Sequence, residues 1–332
     1  MPQKCMGYAK ELSWSFSRAK ALSECPRSAW FLYWSQGEPK YAERVATLRQ
    51  LTTLPTAAGA AVDYVIARAL KAWRDDRVVL EGLPAVGVGM LRRQRAESDR
   101  AAGAIALGGK WRATKEAWLP PFQDHVYAYD LGSRYEADME ERVARCLANF
   151  ESSEVWLRLR ESDTTTWQPF SKLDKSPIPS ISIGDGLTVW SSIDFAMGDS
   201  KGAVVLDWKS GNESAQAVEA AKDQLIVYAA WACRHFGLEP EEVSVQAVWL
   251  QREPKWCPEP SNPTELIGLT KRIEAETAAE KALVAPQTNA RGRVLRYHAQ
   301  FEKFPPRPSS RGCLQCRFRE LCPEGTEACG HV

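Results

Sequence analysis

The 332-residue chain has no apolar run longer than nine residues, Leu225 to Cys233, so no segment is long enough to span a membrane as a helix. Its first residues, MPQKCMGYAKELSWSF, contain no apolar core of the kind a secretory signal needs, and the expectation is a cytoplasmic chain. No internal repeat is visible, which excludes solenoids and propellers. No GxxxxGK[ST] phosphate loop occurs, so any helicase motor would be a partner chain. With 44% hydrophobic and 26% charged residues the chain is neither disordered, collagenous nor coiled-coil in composition. Its length allows one large domain or two small ones.

What is present is uneven. The formal net charge is +1, yet residues 291 to 320 hold eight Arg or Lys against Glu302 and Glu320, a local +6 that leaves −5 for the rest. A basic tail on a slightly acidic body suits a polyanion such as nucleic acid, and a solvated charged surface is the plain alternative. Nine cysteines in a reducing compartment read as metal ligands or free thiols before disulfides. Three of them fall in CLQCRFRELCP, residues 313 to 323, spaced C-x2-C-x5-C, a set that lacks a fourth position. Cys5, Cys146, Cys233 and Cys257 stand outside any motif and read as ordinary thiols, and Cys329 is ambiguous. Thirteen tryptophans read mainly as core, with some available to stack on unpaired bases.

Periodicity divides the chain. Residues 13–34 read as a helix broken at Pro26 and resumed through an aromatic run, and 56–73 as a helix with Val62, Ile66, Ala69 and Leu70 on one face. Residues 75–170 are mixed and mostly helical. Two β-prone runs follow, LTVWSSIDF over 187–195 and GAVVLDW over 202–208, separated by the turn-like MGDSKG. A helix over 215–236, a strand over 243–250 and a helix over 265–284 complete an α/β unit around a small mixed sheet. A proline-rich linker, 305–311, leads to the cysteines.

The two runs place Asp194 at the end of one strand and Asp207 at the end of the next, so adjacent strands would bring both carboxylates to one sheet edge. Hard oxygen ligands of this kind suit Mg²⁺ or Mn²⁺. Lys209 lies two residues beyond Asp207 and projects from the same face, where an ammonium can position an attacking water and stabilise charge on a phosphate. A lone D-x-K is common, and the plain reading makes both residues polar members of a turn. Gln224 and Tyr228, four apart, share one face of the following helix.

SSIDF, VVLDWKSG and DQLIVYAAW together resemble the RecB-like branch of the PD-(D/E)xK nucleases, with Ser191 where that branch usually has glycine. The resemblance implies a restriction-endonuclease-like α/β core, a small mixed sheet flanked by helices, with a helical insert. It implies a metal-dependent DNA nuclease, an exonuclease on single-stranded or end-containing DNA in repair, CRISPR adaptation or anti-phage defence. Asp194, Asp207, Lys209, Gln224 and Tyr228 would be its catalytic set, with the Trp208 carbonyl as a further metal ligand. Part of the branch carries a [4Fe–4S] cluster on one cysteine in a C-P-[RK] context and three spaced C-x2-C-x5-C-P. The matching residues are Cys25, followed by Pro26 and Arg27, and Cys313, Cys316 and Cys322, followed by Pro323. The cluster would staple the two chain ends. The expected organisation is an N-terminal segment 1–55 with the first cysteine, a helical region 56–186 with the first core helix, a nuclease core 187–300 and an iron–sulfur segment 301–332.

One position departs from the pattern. Gly59-Ala60-Ala61-Val62-Asp63 puts Asp63 where the branch usually has a metal-binding histidine, and aspartate is itself a competent ligand for Mg²⁺ or Mn²⁺. His125 is a rival for that role. Asp63 could also mark a catalytically weak DNA-binding or scaffold subunit of a larger nuclease complex. For the cysteines the rival metal is zinc, in a Cys3His site drawn from Cys313, Cys316, Cys322 or Cys329 with His331.

Overall fold

The structure is a computed structural model that describes residues 6–9, 12–35, 38–113, 119–129, 131–168, 178–184 and 186–329. Cys5 and His331 lie outside the described residues. Strands β1 (Met6–Ala9) and β2 (Ser13–Trp14) precede helices α1 (Phe16–Glu24) and α2 (Pro26–Ala29), a π-helical turn (Trp30–Trp34) and α3 (Ala42–Leu48). Helices α4 (Leu54–Asp76), α5 (Leu83–Ala106), α6 (Gln123–Val126), α7 (Ser133–Glu151) and α8 (Glu154–Glu161) follow. The remainder runs β3 (Ser180–Ile183), β4 (Leu187–Trp190), β5 (Phe195–Asp199), β6 (Gly202–Lys209), α9 (Ala215–Phe236), β7 (Val243–Trp249), β8 (Glu259–Pro260) and α10 (Pro263–Lys281). It closes with β9 (Val284–Thr288), β10 (Val294–Gln300), α11 (Ser310–Leu314) and α12 (Pro323–Ala328).

The central sheet has the order β5-β6-β7-β8. β5 and β6 form an antiparallel hairpin, β6 and β7 run parallel through the crossover helix α9, and β8 is antiparallel to β7. β6 is apolar on both sides because both its faces are covered. Leu206 and Trp208 pack with Val62 of α4, Leu91 of α5 and Val143 and Phe150 of α7. Ala203 and Val205 pack with Val227 of α9 and Ile273 of α10. The helices of 75–170 thus form one layer against the sheet. Gly87 lets α5 lie close on α7, since a Cβ there would meet Val143 Cγ1 at 2.8 Å. α9 owes its limits to local chemistry: Ser214 accepts from Ala217 N–H at its start, and Gly237 takes φ +71° at its end.

Three sequence expectations change. The run LTVWSSIDF is not one strand. Leu187–Trp190 pairs with β2 and β3, whereas Phe195 opens β5 in the central sheet. Asp194 therefore precedes a strand instead of ending one. The break falls at Ser191 and Ser192, whose backbone leaves the ladder: Ser191 N–H donates to Pro179 O at 2.8 Å, and Ser192 O accepts from Tyr228. The helix expected over 265–284 starts at Pro263 and stops at Lys281, because Val284 is buried in a strand on another cluster. Part of the basic tail turns inward. Arg317 donates to Arg49 O at 3.0 Å, and the Arg319 guanidinium lies 4.1 Å from the Tyr127 ring centre.

A third cluster fastens the two ends of the chain together. Trp30, Phe31 and Trp34 are fully buried against Ala299, Phe304 and Phe318. Trp30 Nε1 donates to Ala299 O at 3.0 Å, and Arg27 Nε to Phe304 O at 2.8 Å. Arg18 grips Glu280 with Nε at 3.0 Å and Nη2 at 2.7 Å, and Trp34 Nε1 donates to the same carboxylate at 3.0 Å. The Arg18 and Glu280 side chains are 9% and 5% exposed. Breaking such a pair leaves a charge buried without its partner. Glu280→Ala is expected to lower the unfolding free energy by about 3–5 kcal/mol in urea denaturation. Glu24→Ala, which removes the exposed partner of Lys20, should match wild type. Equal effects from the two would show that the buried pair does not fasten the ends.

Candidate active site

The β5–β6 register pairs Phe195 with Leu206. Carried one step further along an antiparallel pair, it sets Asp194 across from Asp207. Asp194 Oδ2 accepts from the Trp208 backbone N–H at 3.0 Å, extending the ladder with a side chain. Asp207 is 2% exposed, a buried carboxylate on a sheet edge. Lys209, on the same face, forms an ion pair with Asp207 and donates to Gln224 Oε1 at 2.7 Å. Gln224 Nε2 donates to Tyr228 Oη, and Tyr228 Oη donates to Ser192 O at 2.6 Å. Lys209, Gln224 and Tyr228 form one chain of three donors that ends on a backbone carbonyl and fixes which way the Gln224 amide faces.

Burial pushes the Tyr228 hydroxyl far above the ordinary phenol range, and the negative charges of Asp207, Asp194 and Asp63 push it further. Tyr228 therefore stays protonated and acts as a permanent donor. Asp63 of α4 is near enough to add to that shift. Gly59 explains how: a Cβ there would lie 3.3 Å from Ser210 Oγ, so α4 crosses close to the end of β6, and Asp63 follows one turn later. His125 is placed elsewhere, on α6, with Nδ1 3.0 Å from Asp99 and Nε2 3.8 Å from Asp124.

Sequence reasoning missed the residues that hold the strand end. Ser210, just after Lys209, is fixed by Arg142 of α7, with Nε to Ser210 O at 2.6 Å and Nη2 to Oγ at 3.2 Å. Gln251 Nε2 adds a second donor to Ser210 O at 3.0 Å. Arg142 is 68 residues from Ser210 and carries no local signal. The parallel register places Trp249 beside Lys209.

Asp194, Asp207 and Asp63 carry hard oxygen donors, the type that Mg²⁺ or Mn²⁺ takes alongside waters and phosphate oxygens. Among the described residues no three His, Cys, Asp or Glu side chains form a ready-made site for one metal ion.

At the far end of the chain Cys25, Cys313, Cys316 and Cys322 line one cavity of about 670 Å³. Cys25 precedes Pro26 at the start of α2 and Cys322 precedes Pro323 at the start of α12. Burial raises the Cys316 thiol, with Cys25 and Cys313 adding to the shift, and raises Cys322 to about 11. Cys329 does not line this cavity.

The family model of the PD-(D/E)XK nuclease superfamily matches residues 13–323. No curated protein and no solved structure gives a match.

Tyr228→Phe removes the hydroxyl that Gln224 and Ser192 share in a buried position. The expected cost is about 1–3 kcal/mol of unfolding free energy by urea denaturation. An unchanged midpoint would mean that the donor chain does not support the site.

Proposed function

Because the chain belongs to the PD-(D/E)XK nuclease superfamily, we propose that it is a divalent-metal-dependent DNA nuclease of the RecB-like branch that carries a [4Fe–4S] cluster. The observation that carries the reading is the hydrogen-bonded array on one sheet edge: Asp194 opposite Asp207, with Lys209 held by Asp207 and Gln224. Asp194, Asp207 and the Trp208 carbonyl would hold the ion, with Asp63 as a further ligand. A bound Mg²⁺ or Mn²⁺ supplies Lewis acidity toward the scissile phosphate. An ammonium has three donors. In Lys209, Asp207 and Gln224 engage two, and the third is left to orient a water for in-line attack on the phosphorus or to bind the oxygen on which charge develops. Gln224 and Tyr228 hold the lysine in that attitude. Exonucleolytic action on single-stranded or end-containing DNA, with a helicase or another nuclease subunit as partner, extends the reading.

A non-catalytic scaffold subunit is the second reading. Asp63 in the usual histidine position favours it. Cleavage of end-labelled single- and double-stranded DNA by anaerobically purified protein, in Mg²⁺, Mn²⁺ or EDTA, separates the two. The nuclease reading expects metal-dependent cutting that falls about a hundredfold or more in Lys209→Ala. Intact DNA binding without cutting by wild type would favour the scaffold, and equal cutting by both proteins would refute the assigned lysine.

The cysteine cavity is tested separately. Iron-loaded protein should be brown, with absorbance near 400 nm, and Cys316→Ser should lose both colour and bound iron. Colourless protein that retains zinc would overturn the cluster.

A further inference from the structure

An open cavity of about 450 Å³ adjoins the acidic edge. Trp249 and Gln251 form one wall, and Asn212 with Ser214 and Val218, at the start of α9, the other. Arg252 closes the rim, paired with Glu213. The β6–β7 register matches Asp207 with Ala247 and Lys209 with Trp249, so all four residues share one face. Earlier members of the same column, Val243, Val245 and Ala247, pack into the cluster beneath α9. Trp249 continues the column beyond that cover. It is half-buried and belongs to none of the hydrophobic clusters. Across the cavity Val218 is 42% exposed, a second apolar group without a core to join.

We propose that this cavity receives an unpaired base next to the scissile phosphate, stacked on the Trp249 indole, and that the substrate strand is single-stranded there. The proposal rests on the nuclease reading of the Asp207–Lys209 edge. Neighbouring strands lie about 4.8 Å apart, so a phosphate held at Lys209 leaves its own or the adjoining base within reach of Trp249. An indole face accepts any base, because every base has a π-face, but only one that is not already stacked inside a duplex. Asn212 and Arg252 supply polar groups at the rim, while the stacking contact that holds the base is indifferent to its identity. The site therefore selects for strandedness, not for sequence.

Binding in EDTA tests this without cutting. Wild type, Trp249→Ala and Trp249→Phe are compared on a labelled single strand and a blunt hairpin of equal length, with 2-aminopurine as a stacking reporter. Trp249→Ala is expected to weaken single-strand binding roughly tenfold and to abolish 2-aminopurine quenching, with hairpin binding unchanged. Trp249→Phe, which keeps an aromatic face and the packing, should bind near wild type. Equal single-strand binding by Trp249→Ala and wild type, or equal losses on strand and hairpin, overturns the proposal. The cleavage comparison with Lys209→Ala reports on the nuclease reading independently. Lysine-dependent cutting with binding indifferent to Trp249 removes the stacking site alone, whereas wild type that neither cuts nor binds nucleic acid removes both.

Discussion

The carboxylate of Glu280 is the point on which the architecture turns. It is buried, and it receives Arg18 through two nitrogens and Trp34 through its indole N–H, residues that lie 262 and 246 positions earlier in the chain. A carboxylate in that setting is tolerable only while its donors are in place. The segment carrying Arg18, Cys25, Arg27 and Trp34 is therefore held against the end of α10 and the strand after it. That closure also brings Cys25 to the cavity lined by Cys313, Cys316 and Cys322. An ion pair and aromatic packing hold the two segments together around that cavity.

The acidic edge obeys a similar economy. Asp207 is buried, with the Lys209 ammonium beside it. Lys209 in turn is limited by Gln224, which is limited by Tyr228, which rests on the Ser192 carbonyl. Each donor points the same way along the row, so no member can rotate without leaving a neighbour short. Arg142 and Gln251 fix the next residue, Ser210, from outside the sheet. Asp207 and Lys209 stand on a strand anchored at its end, the arrangement that would keep a catalytic geometry within narrow limits.

Local spacing made part of this legible. Asp207 and Lys209 share a face because a strand alternates, and Gln224 and Tyr228 share one because a helix turns every 3.6 residues. The Gly59-to-Asp63 interval is one helical turn, and Gly59 lies against Ser210 at the end of β6. Asp194 reached its partner for a reason the sequence did not reveal: not as a strand end, but as the residue before a hairpin whose register points it at Asp207. The Arg18–Glu280 pair and the Arg142–Ser210 contact were illegible because nothing local marks two charged residues as partners across hundreds or tens of positions. Counting charge in the tail misread Arg317 and Arg319 for the same reason: charge counting cannot tell an arginine bound to a backbone carbonyl or stacked on a tyrosine from one facing solvent.

The hairpin of β5 and β6 turns through only Ser200 and Lys201. It works as a ruler. The meeting of Asp194 and Asp207 is measured out from that turn, residue by residue. A single inserted or deleted residue on either arm would shift the pairing by one and send one carboxylate to the opposite face of the sheet. Length is thus constrained on the two arms that run from the turn to Asp194 and to Asp207. The chemistry of the site is guarded by a count of residues as much as by their identity.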